Sequence, residues 1–313
     1  MNKFVLLLGQ TGLIGNKIYQ HIKHMEYQKI YCLSRKSINY QDEKTIFVQY
    51  NDLETDLEEK LQTILEKNKG QWIVFLFTGE TIFGFINDKK WQNIYKSRVK
   101  INQKVISVLE KLNIEVLKIF SASAIGIYYK SKDLEVDENS EIQDNIISNL
   151  IRDWEKTIID SKYSDKSVIM RIGAVLDKKS KISQSLLVPS LFSIGINFSP
   201  SSYFPWIYNE EIPRIIEFLI QNDFTGIINT VSNNYITFRE FLELYITTHS
   251  IFRKAFIIDL PLRILEKSLK LLMPKYYELP YSLFCSPKII PHNLIKTGYS
   301  FKYNDIREIV GMI

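Results

Sequence analysis

Short apolar runs alternate with amphipathic segments along the first half of the chain. Six of these runs have the length and the apolar content expected of strands buried on both faces of a sheet. They lie at 4–8, 29–34, 45–50, 71–78, 116–121 and 167–171. Segments with helical periodicity separate them, at 13–25, 54–67, 91–112 and 141–161. This alternation predicts an α/β fold, with a Rossmann-like doubly wound parallel sheet joined by right-handed crossovers.

The regular alternation fades after Leu176. Residues 178–202 are rich in Ser, Pro and Lys, and we expect a loop or lid there. Amphipathic helices follow, at 210–221, 237–248 and 262–273. We therefore divide the chain into a Rossmann domain, 1–176, and a smaller mixed C-terminal region, 177–313, with later segments returning to the sheet. Because ligands of such folds bind at the carboxyl ends of the strands, the C-terminal region is expected to close a cleft there.

The last of these helices carries a leucine stripe, formed by Leu262, Leu265, Leu269 and Leu272, with basic and acidic residues opposite. Such a stripe is typical of a helix that packs on a core. A helix at a membrane surface or against a partner is the alternative. Ordinary globular patterning favours the core-facing interpretation.

The charge distribution argues against nucleic acid as a partner. The 313 residues include 40 Lys and Arg against 35 Asp and Glu, a net charge of +5. The basic residues are spread along the chain and form neither an arginine-rich arm nor a basic stripe with interleaved aromatics. We expect a small-molecule ligand, and the oligomeric state stays open.

The chain has two cysteines, Cys32 and Cys285, which are far apart in sequence and predict neither a disulfide framework nor a metal site. The four histidines are not spaced as ligands with Cys or carboxylates, so no metal is expected. No stretch approaches 18 uninterrupted apolar residues, so we expect no membrane span. A cytoplasmic location is the default expectation.

The first apolar run leads into a glycine triplet, Gly9, Gly12 and Gly15, with the spacing G-x-x-G-x-x-G. The first glycine permits a tight turn, the second lets the backbone approach a pyrophosphate, and the third lets the helix pack close to the sheet. The helix N-terminus then offers unpaired N–H groups and the positive end of its dipole to phosphates. We expect these residues of the loop to bind a dinucleotide: Gly9, Thr11, Gly12, Leu13, Ile14 and Gly15.

The end of the second predicted strand bears on the choice of cofactor. NAD sites usually place an acidic residue there, whereas this chain has Ser34, Arg35 and Lys36. Because a guanidinium pairs well with a phosphate, Ser34 and Arg35 predict NADP(H) in preference to NAD(H). An exposed basic turn is the alternative. Asp52, after the third strand, is expected either to contact the adenine or to cap the following helix.

Several motifs occur together in one known group. Besides the glycine loop and Ser34-Arg35, they are 78–80 (Thr-Gly-Glu), 97–99 (Ser-Arg-Val), 121–129, 154–155 (Trp-Glu), 171–176 and 206–207 (Trp-Ile). Taken together, they resemble the atypical extended short-chain dehydrogenase/reductases, the NAD-dependent epimerase/dehydratase-like, sugar-epimerase-family proteins. The resemblance covers nearly the whole chain, and residues 287–303 resemble that group's C-terminal extension.

The resemblance implies where the nicotinamide lies and which groups do the chemistry. Thr78, Gly79, Ser121 and Ala122 are expected beside the cofactor. Ser123 is expected to donate a hydrogen bond to a substrate carbonyl. The usual Tyr-x-x-x-Lys pair is absent from its usual place on the long helix, because aligning Glu155 with the acidic residue that follows that Lys puts Ile147 and Ile151 in the dyad positions.

Two further residues are candidates for proton transfer. Glu80 is expected either to reach the nicotinamide region or to cap the next helix. Tyr128 follows Ser123 closely enough to enter the same cleft as an acid/base. Arg171 ends a strand that points at the cleft. Its two possible roles are to bind an anionic substrate and to form a structural ion pair. Trp154 is most simply an anchor in the core.

Two functions follow from these residues. The first is an NADP(H)-binding oxidoreductase or epimerase of the extended short-chain class, acting on a small polar or nucleotide-linked substrate. The second is a catalytically inactive protein that uses cofactor occupancy as a sensor or regulatory signal. The missing dyad favours the second, whereas Ser123 and Glu80 favour the first.

Overall fold

The computed structural model describes residues 2–37, 43–53, 55–129, 131, 133, 135–199, 202–284 and 286–313. Cys285, one of the two cysteines, lies outside them. The strands in chain order are β1 Lys3–Leu8, β2 Lys29–Ser34, β3 Thr45–Gln49, β4 Gln71–Leu76, β5 Val116–Ala124, β6 Glu135–Val136, β7 Ser167–Ile172, β8 Ala174–Leu176, β9 Ile194–Asn197, β10 Trp206–Tyr208, β11 Gly226–Thr230, β12 Phe256–Asp259 and β13 Lys288–Ile289.

The helices in chain order are α1 Leu13–Ile22, α2 Asp56–Lys67, α3 Asp88–Tyr95, α4 Ile101–Lys111, α5 Ile146–Ile159, α6 Lys181–Leu191, α7 Glu211–Gln221, α8 Phe238–His249, α9 Leu262–Leu272, α10 Glu278–Tyr281, α11 His292–Lys296 and α12 Ile306–Val310. A π-helical turn, Lys96–Lys100, joins α3 to α4, so the two run as one helix with an irregular turn in its middle. Such turns are rare and are frequent at functional sites.

Seven strands form one parallel sheet in the order β11-β7-β5-β4-β1-β2-β3. The order reverses next to β1, between β2 and β4, which is where ligands of open α/β sheets bind. The α/β, Rossmann-like fold class is therefore confirmed. β11 comes from the 177–313 region and pairs with β7. The division of the chain at 176 stays a prediction.

Apolar side chains on both faces of the sheet explain why these strands form. In β1 every residue from Phe4 to Leu8 is buried, and β2 is buried from Ile30 to Ser34. The two faces build separate apolar clusters, one that includes Val5 and Leu7 and one that includes Leu6 and Leu8. A strand buried on both faces needs a continuous apolar run, which is the pattern that the sequence shows.

Two expectations for the C-terminal region were wrong. The segment expected as a loop or lid, 178–202, contains α6 and β9, because Ser180 caps a helix by accepting a hydrogen bond from the Ser183 N–H. A Ser- and Lys-rich composition hides such a cap. The leucine stripe of α9 was expected to pack on the core. Instead, none of that helix's residues is fully buried, and the side chain of Leu272 is 62% exposed.

Candidate functional site

The glycine loop between β1 and α1 has no room for side chains at its two ends. Gly9 has φ +98°, and a Cβ built on it would lie 2.4 Å from the carbonyl oxygen of Phe77. A Cβ on Gly15 would lie 2.1 Å from the carbonyl oxygen of Gly9. The loop therefore packs directly on the end of β4 and on the start of its own helix, as the sequence predicted.

The middle of the loop is open instead. A Cβ on Gly12 would meet only the Gly9 carbonyl oxygen, at 3.2 Å, among the described atoms within 4 Å. The Gly12 N–H donates to that oxygen, and the helix begins with the hydrogen bond from the Asn16 N–H to the Gly12 carbonyl. The N–H groups of Leu13, Ile14 and Gly15 lie in the first turn, where an α-helix supplies no acceptor. These donors, at the positive end of the helix dipole, fit phosphate oxygens.

The carboxyl ends of β2 and β3 border a cavity of about 170 Å³. Ser34, Lys36, Ser37 and Gln49 are among the residues that line it. The Ser34 hydroxyl accepts from the Lys36 N–H at 3.0 Å and lies 3.5 Å from the Thr11 hydroxyl, which ties the end of β2 to the glycine loop. Lys36 and Ser37 were not among the expected cofactor residues, although Lys36 stands in the basic tripeptide that drew attention to Arg35.

Arg35 lies beside this corner with its side chain 61% exposed. Its Nη2 is 4.0 Å from a carboxylate oxygen of Glu80, so a long ion pair links the end of β2 to the turn after β4. An exposed guanidinium with one distant partner retains the donors that a phosphate would need. Both earlier interpretations of Arg35, a phosphate ligand and an exposed basic turn, are compatible with this position.

Asp52 adopts the second of its two expected roles. Its Oδ1 accepts from the Thr55 N–H at 2.9 Å and from the Asp56 N–H at 3.3 Å. These bonds satisfy donors at the start of α2, which is what a capping carboxylate does. Contact between Asp52 and an adenine stays a prediction.

The turn after β4 is held against the π-helical turn by Ser97. The Thr78 hydroxyl donates to the Ser97 carbonyl at 2.9 Å, and the Glu80 N–H donates to the Ser97 hydroxyl at 2.8 Å. The Glu80 carboxylate accepts from the neighbouring Thr81 N–H, and it is Asn87 that caps α3, so Glu80 is not the cap of the next helix. Glu80 is instead half-buried at the sheet's carboxyl edge.

Gly79 lies in the same turn and faces Arg98. A Cβ on Gly79 would lie 3.3 Å from Arg98 Nη2, so the missing side chain gives the guanidinium its place under the turn. The sequence singled out Arg98 only as part of the Ser-Arg-Val motif. Its partner across the fold could not be inferred from that motif.

β5 runs three residues beyond its predicted end and carries Ser121, Ala122 and Ser123 inside the sheet. The Ser121 hydroxyl accepts from Asn102 Nδ2 of α4 at 3.1 Å, so it is turned toward a helix. The Ser123 hydroxyl donates its proton to Glu155 Oε1 at 2.6 Å and is 4% exposed. Ser123 can still accept a hydrogen bond, but its one donor is used within the protein.

Glu155 forms a buried ion pair with Arg171. Arg171 Nε and Nη2 donate to the two carboxylate oxygens of Glu155, each at 2.8 Å, and both side chains are more than 90% buried. Burial alone would lower the pKa of Arg171, but the hydrogen bonds and the charge of Glu155 raise it above its ordinary value. Of the two earlier interpretations of Arg171, the structural ion pair is the one present.

Tyr128 completes this buried group. Its hydroxyl accepts from Arg171 Nη1 and donates to Asn229 Oδ1, both at 2.8 Å, and its side chain is 1% exposed. Burial raises the pKa of Tyr128 to about 12, whereas a general acid or base at neutral pH needs a value near 7. A proton-transfer role for Tyr128 stays a prediction that this position does not favour. The sequence offered no signal for Asn229, which is 101 residues away.

The two positions of the missing dyad form an apolar surface. Ile147 and Ile151 of α5 are 6% and 3% exposed, and a Cβ on Gly126 would lie within 3.4 Å of both side chains. Neither side chain can carry a proton, and they pack on the turn that follows β5. In this protein, the side of the cleft where the acid/base pair is expected is lined by the apolar side chains of Ile147 and Ile151.

Within the described part of the chain, no group of three or more His, Cys, Asp and Glu side chains is placed to hold a metal ion. Likewise, among the described residues no helix has the length and the apolar character needed to cross a membrane. The candidate site consists of four parts: the glycine loop, the corner at Ser34, the turn at Thr78–Glu80 and the end of β5.

The fold and the glycine loop are those of the NAD(P)-binding Rossmann proteins. More narrowly, residues 5–147 match the model of the NAD dependent epimerase/dehydratase family, which confirms the resemblance inferred from the motifs. The epimerase family protein YfhF of Bacillus subtilis is 22% identical over 308 residues, which cover 96% of this chain and 95% of that protein.

Solved structures with the same fold include two epimerase-type proteins. The human epimerase family protein SDR39U1 (isoform 2), whose structure was determined with NADPH, aligns with a TM-score of 0.77 at 21% identity over 98% of each chain. UDP-N-acetylglucosamine 4-epimerase from Bacillus cereus aligns with a TM-score of 0.68 at 14% identity, over 99% of this chain and 97% of that one. At these identities the likeness shows the fold alone.

Proposed function

We propose that this protein binds NADP(H), with the adenosine 2′-phosphate at the end of β2, and acts as an oxidoreductase or epimerase on a small polar substrate. The observation that carries the proposal is the corner at the end of β2, where Ser34 and Lys36 line the cavity between β2 and β3 and the exposed Arg35 stands between them in the chain. The human relative solved with NADPH supports the choice of cofactor.

The residues present fit such a cofactor. The free N–H groups of the first turn of α1 and the open side of Gly12 suit the pyrophosphate. Ser34 offers a hydroxyl and Arg35 a guanidinium for the additional phosphate, and residues 34–37 at the end of β2 contain no acidic side chain. The carboxylate that such a phosphate would approach is that of Glu80, 4.0 Å from Arg35 Nη2. Thr78, Gly79 and the end of β5 would then border the nicotinamide.

When bound, the cofactor supplies or accepts a hydride. The chain's own contribution is to orient the reacting groups and to exclude water. Ser123 can position a substrate group by accepting a hydrogen bond, and the Ile147–Ile151 surface keeps that side of the cleft dry. Glu80, half-buried beside Arg35, is the proposed group for moving a proton, because its carboxylate lies in the turn with Thr78 and Gly79 and is not held in a buried ion pair.

Arg35→Met tests the phosphate assignment. We expect it to weaken NADPH binding about tenfold, which corresponds to about 1.4 kcal/mol, and to leave NADH binding unchanged, because only NADPH carries the 2′-phosphate. Fluorescence titration of the purified protein with each nucleotide measures both affinities. Arg307→Met, the same change at an exposed arginine of α12, is the matched control and should alter neither.

Two results would contradict this assignment. One is equal affinity of the unaltered protein for NADPH and NADH. The other is an equal loss for both nucleotides in Arg35→Met, which would mean that Arg35 supports the adenine side in general. Either would return Arg35 to the role of an exposed basic turn.

A second candidate function is supported by Ile147 and Ile151. With hydrocarbon in both dyad positions and Ser123 donating to Glu155, the site can hold a cofactor without the usual means of turnover. The protein would then act as a cofactor-dependent sensor. Incubation with NADPH and an array of small carbonyl compounds separates the two functions: oxidation of NADPH that Glu80→Gln reduces supports the enzyme, and its absence at saturating NADPH supports the sensor.

A further inference from the structure

The turn Thr78–Glu80 and the π-helical turn beneath it enclose a cation with few partners. Arg98 projects from the π-helical turn and lies against Gly79, with Nη1 and Nη2 both within 3.6 Å of where a Gly79 Cβ would stand. Its side chain is half-buried. Among the described residues, its one hydrogen bond runs from Nη1 to the Ile94 carbonyl at 3.3 Å.

No carboxylate of the described residues comes within ion-pairing distance of Arg98. Burial therefore lowers the pKa of Arg98 to about 10, and the charge of Glu80 only partly offsets that effect. The guanidinium stays protonated at neutral pH, and among the described residues only one of its five N–H groups has an acceptor. The attraction between such a partly desolvated guanidinium and a bound anion is stronger than it would be for a fully exposed arginine.

A second donor without a partner lies in the same group. The Arg98 guanidinium carbon is 5.3 Å from the centroid of the Trp154 ring, close enough for a cation–π contact. Trp154 is 5% exposed, and its Nε1–H finds no acceptor among the described residues. The available hydrogen-bonding groups of this pair are therefore all donors, so a ligand that satisfies them must bring acceptors.

The position of this pair relates it to the proposed cofactor site. The glycine loop packs on the end of β4 through Gly9, and β5 flanks β4 on the other side with Ser121 to Ser123. The turn over Arg98 therefore lies at the carboxyl edge of the sheet, between the strand that leads to the cofactor loop and the strand that carries Ser123. Substrates of open α/β folds bind along this edge.

We propose that Arg98 anchors an anionic group of the substrate, so that the substrate class is a small molecule with a carboxylate or phosphate close to its reacting carbon. This inference rests on the proposed function for the identity of the neighbouring cofactor. Gly79 is the residue that leaves the guanidinium accessible, Arg98 supplies the charge, and Trp154 stacks against it.

Binding of two minimal anions tests the proposal without knowledge of the substrate. The protein saturated with NADPH is titrated with inorganic phosphate and, separately, with acetate at constant ionic strength, and tryptophan fluorescence or thermal stability reports binding. We expect saturable binding of at least one anion, a loss of tenfold or more in Arg98→Gln, and a smaller loss in Arg98→Lys, which keeps the charge but not the fork. Glu80→Gln should strengthen binding severalfold, because it removes the one opposing charge.

Lys100→Gln is the matched control, since it removes one positive charge from the same π-helical turn at an exposed position. It should leave anion binding unchanged. A thermal melt of each variant establishes that the fold is retained, and Arg98→Lys keeps the test valid if Arg98→Gln does not fold.

The proposal is overturned if neither anion binds saturably, or if Arg98→Gln and Lys100→Gln bind alike. It is also overturned if Arg98→Gln weakens NADPH itself by tenfold or more, because Arg98 would then hold a phosphate of the cofactor. Failure of the proposed function gives a different result: the unaltered protein would not bind NADPH, while Arg98-dependent anion binding to the protein alone would persist.

Discussion

Two arginines at the carboxyl edge of the sheet have opposite surroundings. Arg171, at the end of β7, donates to both oxygens of Glu155 and to the Tyr128 hydroxyl. Arg98, under the turn after β4, makes one bond to a backbone carbonyl at 3.3 Å. The first arginine has its partners within the protein, whereas the second has donors left for something else.

The two arginines differ because they lie in different halves of the sheet's carboxyl edge. In the half formed by β5, β7 and β11, the charged side chains bond within the protein, down to the Glu138 carboxylate that accepts from the Asn229 N–H at 2.7 Å, and the buried Thr230 hydroxyl is an atom without a partner among the described residues. The half formed by β1, β2 and β4 leaves donors unpaired at the glycine loop, at Arg35 and at Arg98. A ligand gains more binding free energy from hydrogen bonds to the second half than to the first, because unpaired donors there are still available to its acceptors.

The largest expected effect is on stability, and it distinguishes the two arginines directly. Arg171→Met should lower the free energy of unfolding by about 3–5 kcal/mol, because it leaves Glu155 buried without its counter-charge. Arg98→Met should cost no more than about 1 kcal/mol, the value of the lost contact with Trp154. Urea unfolding of both variants measures the difference. Similar losses in the two variants would break the comparison.

An intermediate effect is expected at Tyr128, and it depends on pH. The folded pKa of about 12 lies above the ordinary value of 10, so the stability from this group is present in full below pH 10 and is lost as pH rises toward 12. Tyr128→Phe should cost about 2 kcal/mol at pH 8, because Asn229 and Arg171 each lose a partner. Near pH 12 that difference should vanish. Unfolding free energies of both proteins from pH 8 to 12 measure it.

A pH-independent difference between Tyr128→Phe and the unaltered protein would argue against this account. It would mean that the Tyr128 hydroxyl ionises with its ordinary pKa and is open to solvent. The proton-transfer role first considered for Tyr128 would then gain support.

The smallest expected effect is at Ser123. Ser123→Ala removes one of the three hydrogen bonds to the Glu155 carboxylate and should cost about 1.5 kcal/mol. NADPH affinity should not change, because the Ser123 hydroxyl already donates its proton to Glu155. Chemical denaturation and a nucleotide titration of the same preparation measure both quantities. A clear loss of NADPH affinity would instead place Ser123 at the cofactor, beside Ser121 and Ala122.

The sequence predicted the elements of the sheet well, because each depends on a local pattern. β2 has the predicted bounds, 29–34, and β1 differs by one residue, starting at Lys3. The end of β5 was placed three residues early, at Ser121, because Ser123 looks like a loop residue until its partner Glu155 is known. α6 was missed for a similar reason, since its cap is a single serine in a polar stretch.

What the sequence by itself determined is the glycine loop and the apolar character of Ile147 and Ile151, the positions that the family resemblance assigns to the dyad. A left-handed turn at Gly9 and a close contact at Gly15 are requirements of the local backbone, and Ile147 and Ile151 cannot transfer protons in any fold. Only the tertiary structure decided which arginine is paired. Arg171 meets Glu155 from 16 residues away and Tyr128 meets Asn229 from 101, whereas packing under Gly79 brings Arg98 no carboxylate among the described residues. Hydrogen-bond partners are set by which elements pack together, and a one-dimensional pattern does not contain that information.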